Sequence, residues 1–186
     1  MHKALLSLSA ILFTVALAAQ MPPRSAVDIT AADIQAVKKA RPQAIDQQIR
    51  VVDIGKYTIA VGVLHREERP GAPGGPISHD QVTEIYYITA GSGTLVTGGT
   101  LVGGKPSAAE SEVVKVLVGP SLTGTSLRNG QTRRVGPGDV IIIPPNVGHY
   151  FTSIDGHVDY LVFRVDADHI LPAGYVNDAA KGSAKG

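Results

Sequence analysis

The chain has 186 residues, 44% of them hydrophobic, which is enough for one domain with a sizeable core. Formal net charge is +1 and there is no Lys/Arg-rich run, so no basic patch for a nucleic-acid partner is expected. Cysteine is absent, which excludes disulfides, thiolate metal sites, a cysteine nucleophile and lipidation of a cysteine.

Residues 1–19 begin with His2 and Lys3 and continue as an almost wholly apolar or small run from Ala4 to Ala19. Ala16-Leu17-Ala18 has the A-x-A cleavage pattern. The run is short and no charged stop-transfer flank follows, so a secretory signal peptide is predicted, with an uncleaved N-terminal anchor as the alternative. Cleavage after Ala18 removes Lys3 and no acid, which leaves basic and acidic side chains balanced. The mature protein is therefore expected outside the cytoplasm, secreted or periplasmic, with no stable membrane span.

Residues 20–44 read as a linker followed by a short helix. Thr30-Ala31-Ala32-Asp33 resembles a capping box with Asp in place of Glu, and Ile34 and Val37 share a face. The spacing predicts a helix over 31–40, ended by Pro42, lying as a lid outside a sheet. The period then changes to two. Ile49 to Ile54 is one strand, Gly55 and Lys56 turn it, and Tyr57 to Arg66 is the next. Glu67 to Ser78 is a Pro/Gly-rich loop.

Residues 79–95 read H-D-Q-V-T-E-I-Y-Y-I-T-A-G-S-G-T-L. Glu84 to Ile88 is strand-like, and Ala90 to Gly93 is predicted to turn into another strand. The segment from Ser92 to Pro137 is longer than a compact hairpin needs. Its run Val113 to Val118 reads as a strand, Gly119 to Gln131 as a Gly/Ser/Thr loop, and the whole as an inserted hairpin or flap.

Residues 135–153 read V-G-P-G-D-V-I-I-I-P-P-N-V-G-H-Y-F-T-S. Gly136 to Asp139 make a turn, and Val140 to Ile143 read as a fully buried strand. Pro144 and Pro145 end it, and Asn146 to Gly148 turn again. His149 opens a further strand, with His149, Phe151 and Ser153 predicted on one face. Val158 to Val165 is the last predicted strand, and residues 173–186 are read as a flexible tail.

These two segments resemble the paired motifs of the cupin family. The later one is similar to G-x5-P-x-G-x2-H-x3-N, with Gly138, Pro144 and His149 in register, Asn146 in place of Gly and Ser153 in place of Asn. The earlier one is similar to H-x-H-x3-4-E-x6-G, in which Glu84 and Gly91 keep the family separation. His79 matches the second histidine if Ile77 stands for the first, or the first if Gln81 replaces the second. No motif repeats. The resemblance implies an all-β fold, a cupin jelly-roll barrel (double-stranded β-helix) over residues 45–172 with a short N-terminal helix.

It also implies a site inside the barrel, with His79, Glu84 and His149 as metal ligands and Gln81 as a fourth ligand or an orienter of water. Two imidazoles and a carboxylate suit Fe(II), Mn(II), Zn(II), Ni(II) or Co(II), and leave positions open for substrate. Tyr86 and Gln81 are the candidates for positioning substrate, with Tyr86, Ile88 and Phe151 lining the pocket. His65, His157 and His169 are given no site role, although His65 could point into the barrel. The implied function is a divalent-metal-dependent enzyme of dioxygenase, isomerase or lyase type acting on a small oxygen-rich organic molecule. The alternative is a metal-free cupin that binds a small molecule or serves a structural role. The family also implies a possible homodimer. No G-x-S-x-G elbow or P-loop is present, which argues against a hydrolase triad and nucleotide binding.

Overall fold

A reciprocal cap starts the helix. The Thr30 hydroxyl accepts from the Asp33 N–H at 3.1 Å, and the Asp33 carboxylate accepts from the Thr30 N–H at 2.8 Å. Helix α1 runs Ala31–Ala40 as predicted. Its inner face, Ile34 and Val37, packs on Ile49, Val63 and Ala180, so the helix does cover the outside of a sheet. The computed structural model describes residues 25–68 and 74–181. The predicted leader lies outside the described residues, as do 69–73 and 182–186. No helix among the described residues is long and apolar enough to cross a membrane.

Eleven strands follow among the described residues: β1 Asp46–Asp53, β2 Thr58–Glu67, β3 Ile77–His79, β4 Val82–Thr97, β5 Thr100–Val102, β6 Lys105–Pro106, β7 Ser121–Thr123, β8 Ser126–Arg128, β9 Gln131–Val135, β10 Val140–Ile143 and β11 His149–Asp166. β4 and β11 are long and pair antiparallel along most of their length. Their two halves belong to different sheets. Residues 158–166 of β11 pair with β2 and with the first half of β4, and β10 and β1 complete that sheet. The start of β11 pairs with β3 and with the second half of β4, which β9, β7 and β6 extend. The two sheets enclose Tyr86, Ile88, Leu95, Ile141, Ile143, Phe151, Val158, Tyr160 and Val162. This is the all-β jelly roll expected of the sequence.

Several local expectations change. Ala90 to Gly93 is a bend within continuous β4 rather than a turn between strands. Gly91 makes the bend possible: its φ is +65°, and a Cβ there would sit 1.9 Å from the His157 carbonyl oxygen. Val113–Leu117 forms one π-helical turn instead of a strand. Its β-branched composition is overruled by the Ser111 hydroxyl, which accepts from Val114 N–H, and by burial of Leu117 and Val118.

Val140–Ile143 is not buried throughout. Ile141 and Ile143 face the core, while Val140 and Ile142 are 61% and 65% exposed on an edge strand. A register shift between Phe151 and Ser153 breaks the alternation, so Ile154 turns inward and Ser153 is exposed. Residues 173–181, read as tail, pack on the barrel. Asn177 N–H bonds Ile49 O at 2.9 Å, Asn177 caps a 3-10 turn over Asp178–Ala180, and Ala180 is buried against Val37.

Candidate metal centre

Two backbone events bring the ligand candidates together. Pro144 and Pro145 stop β10, and Asn146 takes a left-handed conformation with φ 63°. Asparagine tolerates that conformation, which explains how it replaces a motif glycine. Asn146 N–H then donates to His79 O at 2.7 Å, and its side-chain amide donates to Asp80 O at 3.3 Å. This bond ties the turn before His149 to the end of β3. Gly148 lets the β5–β8 ladder close over the same turn, since a Cβ there would meet a Leu127 methyl at 2.5 Å. Of the inserted segment, β5 and β8 form this separate ladder, while β6, β7 and β9 extend the main sheet.

His79, Glu84 and His149 are all buried, and their ligand atoms lie within 4.8 Å of one another. Glu84 Oε2 is 3.3 Å from His79 Nε2 and 3.4 Å from His149 Nε2. The tautomers follow from the outer nitrogens. His149 Nδ1 faces the Val147 carbonyl at 3.0 Å, and a carbonyl only accepts. His79 Nδ1 lies 2.9 Å from the Ser121 hydroxyl, which already donates to Gly119 O at 2.9 Å. Each ring therefore carries its proton on Nδ1 and turns the Nε2 lone pair inward. Three acceptors facing one another repel unless a cation lies among them. A divalent ion, or a proton on an imidazole, is what this donor set fits.

Glu84 is held from both sides. Arg164 Nε donates to Oε1 at 3.0 Å, and the Tyr86 hydroxyl donates to Oε2 at 2.9 Å. Burial alone would raise the Glu84 carboxyl; without a metal, a proton shared by the imidazoles takes the cation's place, and with Arg164 it holds the Glu84 pKa well below the usual carboxylate range. Burial and the Glu84 charge push the Tyr86 phenol well above its ordinary value. Tyr86 therefore keeps its proton and acts as a donor, not a base.

Arg164 is fully buried. Its Nη1 donates to Gln48 Oε1 at 2.6 Å and its Nη2 to Asp46 Oδ2, so β1 braces the carboxylate through the guanidinium. Arg164 and Ser121 were missed as site residues. Strand alternation puts Arg164 on one face with Tyr160 and Val162, but nothing in the sequence identifies that face as inward or names its partners.

Gln81 does not join the cluster. It follows β3 in a bend, and its amide donates to Asp168 at 3.1 Å in an exposed contact. Neither a ligand nor a substrate-positioning role fits that place. Ile77 instead pairs directly with His149 across β3 and β11, on the face that His79 shares. An apolar side chain thus occupies the position of the other motif histidine. Tyr86 stands against the site, with its ring 6.0 Å from that of His149. His65, His157 and His169 lie outside the cluster. Ser121→Ala should weaken metal retention about 10–100-fold by freeing the His79 ring, measured by chelator competition.

The family model described as Cupin matches residues 47–181. The chain belongs to the cupin family. Among solved structures, a cupin protein from Bacteroides fragilis is 21% identical, with 63% of this chain and 72% of that one covered and a TM-score of 0.37. Bacillus halodurans BH2720 is 12% identical, with 89% and 100% covered and a TM-score of 0.46. The DMSP lyase DddQ from Ruegeria pomeroyi is 20% identical, with 64% and 43% covered and a TM-score of 0.37. No curated protein sequence matches the chain. Fold alone does not select an activity within such a family.

Proposed function

We propose that this cupin is a divalent-metal-dependent enzyme acting on a small, oxygen-rich organic molecule. The reading rests on one observation: two buried imidazole Nε2 atoms converge on one buried carboxylate oxygen, at 3.3 and 3.4 Å, with their outer nitrogens held by Ser121 and the Val147 carbonyl. His79, Glu84 and His149 would hold the ion. When bound, it would supply Lewis-acid polarisation of a substrate carbonyl, carboxylate or enol, or a place for dioxygen. The chain's own residues do the rest. Arg164 occupies Oε1, so the carboxylate presents Oε2 alone to the imidazoles. Tyr86 fixes that oxygen and offers an un-ionised hydroxyl beside it. Ile77 beside His149, and Phe151 on the inner face, keep the surroundings apolar. With only three such ligands, room is left for substrate oxygen.

The test is metal analysis of the untagged protein purified without chelator, followed by turnover assays on hydroxy- and oxo-acids with and without dioxygen. Near-stoichiometric Fe, Mn, Zn, Ni or Co and a turnover lost in His149→Ala support the enzyme. A chain that takes up none of these ions, even when they are added, is a metal-free binding barrel.

The leader-like residues 1–19 support export, secreted or periplasmic, and a mature N-terminus found after Ala18 or Ala19 would bear this out. A homodimer is supported by the exposed Val140, Ile142 and Tyr87 on the outer face around edge strand β10. Ile142→Lys should then halve the mass seen by light scattering. An unchanged mass would place any contact elsewhere.

A further inference from the structure

The first sheet carries a second group of imidazoles and carboxylates, on its outer face and apart from the barrel interior. Register places His65 opposite Asp159 and Glu67 opposite His157, where β2 and β11 pair. Directly opposed side chains share a face, so the four form a square array of two imidazoles and two carboxylates. They line an open cleft with Glu68 and Gly156.

The array is ordered rather than merely charged. His65 Nδ1 lies 2.5 Å from Asp159 Oδ1, whose other oxygen takes a 2.8 Å bond from Lys38 Nζ of α1. A carboxylate oriented in this way fixes the ring with its proton on Nδ1 and leaves Nε2 as a ligand. That Nε2 lies 3.4 Å from Glu67 Oε1, close to the separation of two ligand atoms on one tetrahedral zinc with bonds of about 2.0–2.1 Å. The His157 ring is 6.1 Å from the His65 ring, centroid to centroid, and is exposed. The charged groups around these residues are Glu67, Glu68 and Asp159 against Lys38 and Lys39, a small acidic excess that favours a cation.

We propose that His65, Glu67 and His157 form a second divalent-cation site, of the zinc, copper or nickel class, with Asp159 as the positioning residue for His65. The site would clamp β2 to β11 and, through Asp159 and Lys38, fix α1 to the sheet.

The experiment is calorimetric titration of the untagged, full chain with zinc chloride. It is run in a His149→Ala background that removes the inner cluster, and in the unaltered protein. One equivalent is expected to bind the His149→Ala chain. Its affinity should fall at least tenfold with His157→Ala or Glu67→Gln added, and about 10–100-fold with Asp159→Asn. If His149→Ala does not fold, His157→Ala alone should lower the stoichiometry of the unaltered chain by one equivalent. Binding that is absent, or indifferent to His157→Ala and Glu67→Gln, overturns the proposal. The inner site stands or falls separately, on whether His149→Ala removes its own equivalent.

Discussion

Glu84→Gln and His149→Ala should each reduce metal affinity at least 100-fold while the barrel still folds, as read by metal content and by competition with a chromophoric chelator. The magnitude exceeds the roughly 10–100-fold expected for an outer-shell partner because a ligand itself is lost. Glutamine keeps the shape of the side chain and can still bond Arg164, but it brings no charge to the two Nε2 atoms. Metal retention should also weaken as pH falls, because protons compete for the same imidazole lone pairs.

The apo protein has its own acid limit. Glu84 has a folded pKa well below its unfolded value of about 4.3, so its contribution to stability is fully present above that value. It is lost as pH falls towards the folded pKa. An acid unfolding curve unchanged by Glu84→Gln would contradict this.

Arg164→Met should be the most destabilising single substitution in the barrel, at about 3–5 kcal/mol in denaturant unfolding. For a chain of this size that is on the order of 10 °C in Tm. The guanidinium is fully buried and bonds Glu84, Gln48 and Asp46 at once. Methionine fills the volume but strands two carboxylates in the core without their cation. Burial already pushes Asp46 above its ordinary pKa despite Arg164, so its remaining stabilisation depends on that partner. Lysine keeps the charge but has no planar fork, so Arg164→Lys should recover only part of the loss. Adding Glu84→Gln to Arg164→Met should cost less than the sum of the two changes. Strict additivity would show that the pair does not interact as described.

What the sequence made legible was local. Strand parity and motif spacing placed His79, Glu84 and His149 indoors, with Pro76 and Gly148 setting the phase of the two histidines and the separation from Gly91 that of Glu84. Tyr86 followed from Glu84 by alternation alone. The errors arose where local pattern yields to distant partners. Gln81 keeps the motif separation, but the chain leaves the strand at Asp80 and Asp168 captures the amide. Val113 to Val118 has a strand's composition and no strand beside it to pair with. Ser121 lies in a loop-like stretch and acquires its role only when β7 pairs with β3. The last residues read as a tail by composition, yet Val176 bridges to Arg50 and Ala180 fills a gap under α1.

The division of β4 and β11 between two sheets sets the order of events in time. Glu84 and His79 precede the inserted segment and His149 follows it, so they meet only after β11 has closed on β3 and β4. Those ladders join His149 to Thr97 at one end and Asp166 to Val82 at the other, contacts distant in sequence that are slow to form. A cation that needs all three side chains finds its full cradle only once β11 has paired with β3 and β4. Metal should therefore leave the refolding rate unchanged and slow unfolding, so that bound ion lengthens the lifetime of the native barrel without hastening its birth.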